Sequence, residues 1–265
     1  MSNLQIPFRY DYVGSFLRPE NLKQARRKFD EGAITYAQLK KVEDQAITDL
    51  IQKVKSLGYH VITDGEFRRA TWHLDFMWGL DGVGHVPTKT GLPFHGEAAM
   101  IDDTYLVGKI GLSKEHPFVE HFRFVKQFED ENTVAKQTIP APAQVLAQFT
   151  MPFNREATEK YYDNDAELID DLVTVYKKVI DDLYEAGCRN VQLDDCTWGM
   201  LADKTAPLFY GTTVEGLQEI QQTYKEINNR VIDHAPEGVT VTTHVCRGNF
   251  HSTYASSGAY DAVAD

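Results

Sequence analysis

His244 and Cys246 lie two residues apart, so on an extended strand their side chains leave the same face and could grip one ion. An imidazole and a thiolate together suit zinc, which catalytic sites hold through N, S and O donors while keeping a position open for substrate. The bland reading of the pair is a buried thiol beside a hydrogen-bonded histidine, because HxC is a two-ligand fragment. Glu66 and Asp194 are carboxylates at the ends of apolar runs, suited to pair with the ammonium of an amino-acid substrate in a partly dry site. Each could equally cap a helix or bind a nearby arginine such as Arg68 or Arg69. Ser15 lies in GSFLRP rather than a GxSxG elbow, so a loop hydrogen bond suits it better than nucleophilic attack. Asp195 reads as solvated, and Cys188, Cys196 and Cys246 as buried thiols, reactive thiols or metal ligands. Trp72, Phe76 and Trp78 could wall a pocket or fill a core, and His73, His85, His95, His116, His121 and His251 read as surface or structural.

These groups recur where strands are expected to end. Strand-like segments fall at Tyr10–Phe16, His60–Glu66, Val134–Ile139, Asn190–Asp195 and Val239–Val245. Between them run amphipathic helices with apolar residues at three- and four-residue steps, at Thr35–Leu57, Asp165–Ala186 and Val214–Ile232. The alternation of strands buried on both faces with long helices implies parallel pairing, and a (β/α)8 barrel of the TIM type is the leading architecture. An open doubly wound sheet is the runner-up, weakened because no GxGxxG follows the first segment. The spacing predicts one domain over 1–265, with an insertion around 67–133 holding a strand near Tyr105–Val107 and a helix over Pro117–Phe128. Five expected strands against the eight of a closed barrel predict an incomplete one.

The chain of 265 residues carries a formal charge of −12, which would repel a phosphate backbone, and it has no basic stripe. Nucleic acid is therefore excluded as an expected partner. The N-terminal stretch lacks the pattern of a secretory signal, and no apolar run approaches the roughly 20 residues that span a bilayer. The expectation is a cytoplasmic protein with no membrane partner, and association into a homo-oligomer is left open.

In order along the chain, Val13-Gly14-Ser15-Phe16, Asp64-Gly65-Glu66-Phe67-Arg68-Arg69, Gln192-Leu193-Asp194-Asp195 and His244-Val245-Cys246 resemble motifs of the C-terminal barrel of cobalamin-independent methionine synthase, especially its short single-barrel relatives. The resemblance implies that Val13, Gly14 and Ser15 hold the carboxylate of homocysteine, that Glu66 and Asp194 engage its amino group, and that His244 and Cys246 ligate zinc. It also implies transfer of a methyl group, from a methylated folate or another donor, to the homocysteine thiol in methionine formation. The enzyme alternative is a metal-independent barrel lyase or decarboxylase on a small acidic substrate, and the non-catalytic one a relative that only binds thiol amino acids. The family supplies a glutamate, a second cysteine and a histidine proton donor from beyond the HxC strand, whereas nineteen residues follow Cys246, with no Glu or Cys among them. A truncated barrel, its end inside a helix, is the expectation. The tryptophan that packs the family's pterin is absent from Ala141–Phe149, and Trp198-Gly199-Met200 stands where an acid would hold it.

Overall fold

Residues 4–264 are described by the computed structural model; Met1–Asn3, within the stretch read for a leader, and Asp265, read as part of a terminal helix, lie outside them. The chain enters through α1 (Glu20–Asp30) and α2 (Tyr36–Ser56). Thr35 and Gln38 close a reciprocal capping box at the start of α2, and its apolar stripe buries Leu39, Ala46, Ile47, Ile51 and Val54. Gly58, at φ 82, turns the chain into β1 (Val61–Ile62).

The expected insertion is richer than one strand and a helix. After α3 (Leu74–Trp78) come β2 (Asp81–Val86), β3 (Leu92–Phe94), β4 (Glu97–Ala99) and β5 (Asp103–Gly111). They pair as two antiparallel ribbons, β2 with β5 and β3 with β4. Next is α4 (Pro117–Lys126), whose N-terminus is capped by His116.

The parallel sheet then grows in chain order. Val134–Pro140 is one extended run interrupted at Lys136, giving β6 (Val134–Ala135) and β7 (Gln137–Pro140). Its first half pairs with β1, where Lys136 N donates to Ile62 O at 2.9 Å. Helices α5 (Pro142–Thr150), α6 (Pro152–Thr158) and α7 (Asp165–Glu185) lead to β8 (Asn190–Asp194), parallel to β7. Helices α8 (Thr197–Leu201), α9 (Ala206–Tyr210) and α10 (Val214–Ile232) lead to β9 (Thr240–His244), parallel to β8. Strand and helix side chains such as Ile62, Ile139, Leu193, Tyr176 and Ile227 share one continuous apolar core. Burying these chains on both sheet faces is what fixes the strands' registers.

Two expectations need correction, the strand at Tyr10–Phe16 and the terminal helix. The segment Tyr10–Phe16 is no strand: the carbonyls of Tyr12, Val13 and Gly14 are taken by side chains of the sheet, as described below, so it lies along the strands without a ladder. Among the described residues the parallel strands form no closed sheet. The last element is a short 3-10 turn, Tyr260–Val263, rather than an α-helix. No described helix is long and apolar enough to cross a membrane.

Candidate active site

Because the strands are parallel, their C-terminal ends lie on one side, and Glu66, Asp194, His244 and Cys246 fall at or just past such an end. After β1 the chain makes a sharp turn in which both Gly65 (φ 64) and Glu66 (φ 58) are left-handed. A Cβ on Gly65 would stand 2.4 Å from a methyl of Leu50, so a side chain there would have to displace Leu50 as well as hold a left-handed backbone. Glu66 is 2 % exposed. Its Oε1 accepts from Thr138 Oγ1 at 3.3 Å and faces Arg69 Nη1 at 3.4 Å, while Oε2 is buried with no partner. Arg69 is itself buried, donating to Thr138 O at 2.7 Å and lying over the Phe118 ring. The arginine pairing weighed from sequence is therefore real, and it leaves one glutamate oxygen unused.

Asp194 ends β8 at 3 % exposure. Burial raises its carboxyl to about 7, and the like charge of Glu66 adds to the rise, against a hydrogen bond from Gln192. Gln192 Nε2 donates both to Asp194 Oδ1, at 2.7 Å, and to Val13 O, at 2.8 Å. Lys136 Nζ donates to Gln192 Oε1 at 2.9 Å, to Tyr12 O at 2.6 Å and to Asp11 Oδ2 at 2.6 Å. Gly14 packs against Thr138, whose methyl would lie 2.8 Å from an added Cβ. Ser15 is exposed and its Oγ accepts from Arg18 at 2.9 Å, which leaves the hydroxyl proton free to donate. Val13, Gly14 and Ser15 are thus brought to the same strand ends as Glu66 and Asp194.

His244 is the register partner of Asp194. Cys246 follows it, and its sulfur lies 3.0 Å from that of Cys196, all three cysteines being free. A hydrogen bond from Cys196, and then one from His244, hold the Cys246 thiol well below the ordinary thiol range, with Cys196 pushed up in turn. Hydrogen bonding to Cys246 raises His244. Imidazole and thiolate are donors of the zinc type. No group of three or more His, Cys, Asp or Glu arranged to hold a metal ion occurs among the described residues. A cleft of about 250 Å³ between the N-terminal segment and β9 is lined by Val13, Gln192 and His244 but by neither carboxylate, so burial and hydrogen bonding, rather than cavity shape, identify Glu66 and Asp194.

Asp195 is not solvated: it is fully buried, accepting from Thr197 N at 3.1 Å and from Asn228 Nδ2 at 2.8 Å, and so ties α10 to β8. Phe76 is core, and His73 and His116 are buried with their pKa values driven down by desolvation. Sequence reasoning missed Thr63, Lys136 and Thr138, quoted Gln192 only as part of a motif, and left Cys196 among three cysteines read as buried thiols, reactive thiols or metal ligands. The available signal was polar residues inside runs otherwise buried on both faces, such as Lys136-Gln137-Thr138.

Parallel strands with charged and nucleophilic groups gathered at their C-terminal ends define an α/β enzyme domain. The particular family follows from comparison: residues 10–262 match the family described as "Cobalamin-independent synthase, Catalytic domain", and the chain belongs to that family. It is 40 % identical over 262 residues, covering 98 % of this chain and 67 % of the other, to "Uncharacterized protein YxjH" of Bacillus subtilis. A "5-methyltetrahydropteroyltriglutamate--homocysteine methyltransferase" of Corynebacterium glutamicum is 24 % identical over 254 residues, 94 % of this chain and 31 % of that protein. The crystal structure of a "Putative Vitamin-B12 Independent Methionine Synthase" from Listeria monocytogenes superposes with a TM-score of 0.72 at 37 % identity, over 93 % of this chain and 67 % of that one.

Proposed function

We propose that this chain carries the amino-acid-thiol site of a zinc-dependent methyltransferase that transfers a methyl group, from a methylated folate or another donor, to homocysteine and forms methionine. The observation that carries the reading is the buried, partnerless Oε2 of Glu66 together with a second buried carboxylate, Asp194, whose charge it feels, at strand ends that flank the β6–β7 run. Two such acids are stable together when a cation sits between them, and the ammonium of an amino acid supplies that cation with three donors. Val13, Gly14 and Ser15, on the facing segment, hold the ligand's carboxylate through N–H and hydroxyl donors. With both ends of the amino acid fixed, its sulfur is directed toward His244 and Cys246.

Those two residues would hold the zinc, and their donor chemistry fits it. When bound, zinc lowers the pKa of a coordinated thiol, so that a thiolate exists near neutral pH. The protein's own contribution is orientation and desolvation of the reactants for in-line transfer. The family membership and the name of the Corynebacterium relative support the substrate pair. For the fold, parallel strands whose spatial order follows chain order support part of a (β/α)8 barrel in a single domain, with 67–133 inserted.

The test is equilibrium binding of homocysteine, under reducing conditions, to the chain and to Glu66→Gln. Loss of the charge-assisted hydrogen bond should weaken binding by about tenfold or more. Unchanged affinity would place the amino-acid site elsewhere.

A further inference from the structure

The segment through Gly14 lies along the sheet without a ladder, yet three successive carbonyls in it, those of Tyr12, Val13 and Gly14, are each held by a side chain from a different part of the sheet. Lys136 Nζ, between β6 and β7, donates to Tyr12 O at 2.6 Å. Gln192 Nε2, on β8, donates to Val13 O at 2.8 Å. Thr63 Oγ1, just past β1, donates to Gly14 O at 3.2 Å. All three side chains are buried. The amide of Gln192 has one available orientation, because Lys136 has no acceptor capacity and therefore requires Oε1 to face it.

A trans peptide is planar, with its C=O and N–H pointing in opposite directions. Fixing the carbonyls of residues 12, 13 and 14 therefore fixes the directions of the next three N–H groups, those of Val13, Gly14 and Ser15. Among the described residues these three donate to no acceptor. They are the donors assigned above to the ligand carboxylate. We infer that Thr63, Lys136 and Gln192 form a side-chain ladder that aims these N–H groups at the carboxylate of the amino acid, and that Gln192, bonded also to Asp194, couples the carboxylate end of the site to its ammonium end. This rests on the homocysteine reading. Its physical advantage is preorganisation: the N–H groups are ordered by folding rather than by the ligand. The three are positioning residues, since they touch the ligand only through the backbone and Asp194.

The experiment titrates homocysteine and its decarboxylated and deaminated analogues, under reducing conditions, into the unaltered chain, Thr63→Val and Gln192→Leu. Thr63→Val should weaken homocysteine and the deaminated analogue about three- to tenfold, and the decarboxylated analogue less, through the bond that Thr63 Oγ1 also accepts from Gly65 N at 3.1 Å in the Glu66 turn. Gln192→Leu should weaken both ends and shrink the advantage of homocysteine over either analogue. If Gln192→Leu fails to fold, Gln192→Glu keeps the length and the Lys136 contact while removing both donors when ionised, and should act the same way. Equal loss of all three ligands in Thr63→Val, or no loss in any variant, overturns the ladder while leaving the Glu66 and Asp194 site intact. An unaltered chain that binds none of the three overturns the homocysteine reading and the ladder with it.

Discussion

Glu66 stands at φ 58, a region a glutamate occupies only when its surroundings hold it there. They do: Arg18 Nη2 donates to its carbonyl at 2.8 Å, Arg69 N to the same oxygen at 3.0 Å, and its own N–H reaches Asp64 Oδ1 at 2.8 Å. Asp194 carries a different cost. Its carboxyl titrates near 7 when folded, above the ordinary 3.8. The folded state therefore keeps that proton longer than the unfolded chain, and the associated stability is present below about pH 4 and lost as pH rises through 7. Asp194→Asn, whose Oδ1 still accepts from Gln192, should be more stable than the unaltered chain at pH 8, by on the order of 1–3 kcal/mol in urea unfolding, and should bind homocysteine poorly. Lower stability of the variant at pH 8 would contradict this. Residue types and strand-end positions made Glu66 and Asp194 legible in the sequence. The left-handed turn and the hydrogen bonds that aim them depend on residues distant in the chain, which spacing does not reveal.

At the scale of elements, the helices read from periodicity held because their burial is periodic: α2, α7 and α10 each present one apolar stripe to the core. Helix α1 went unseen because it buries only Leu22 and Ala25 among charged residues, and α5 because Pro142 at its start reads as the end of a strand. Tyr10–Phe16 misled because aromatic and β-branched residues signal an extended backbone, not a ladder partner. The elements are also joined by single buried polar residues. Asn228 of α10 accepts from Ala143 N at the start of α5 and donates to Asp195 at the end of β8. Asn228→Ala should cost about 2–4 kcal/mol, read as a lower urea midpoint, because it leaves a buried carboxylate under-bonded. Gly65→Ala should cost about 1–3 kcal/mol through both its left-handed φ and the methyl of Leu50. Two unchanged midpoints would mean that these junctions relax.

For the whole molecule, the class of fold was legible and its extent was not: alternation identified α/β, whereas closure depends on partners for β9 that do not occur among the described residues. Buried histidines set its acid limit. Desolvation drives His73 down to about 3 and His116 to about 4. The unfolded chain binds those protons first, so stability should fall as pH drops from about 6.5 to 4, by on the order of 3 kcal/mol or more. Because the raised carboxyl of Asp194 acts in the opposite direction over the same window, the fall is read in Asp194→Asn, where a flat urea midpoint would contradict the assignment of both rings as buried and neutral. The central claim is that homocysteine, held at its two ends by Glu66, Asp194 and the Val13–Ser15 segment, delivers its sulfur to a metal at His244 and Cys246. Zinc-edge X-ray absorption of the zinc-loaded chain, before and after homocysteine, tests it most directly. The account predicts one additional sulfur neighbour at about 2.3 Å when homocysteine binds, on zinc that Cys246→Ala fails to retain. Homocysteine bound with the zinc surroundings unchanged, or zinc retained equally without Cys246, would contradict it.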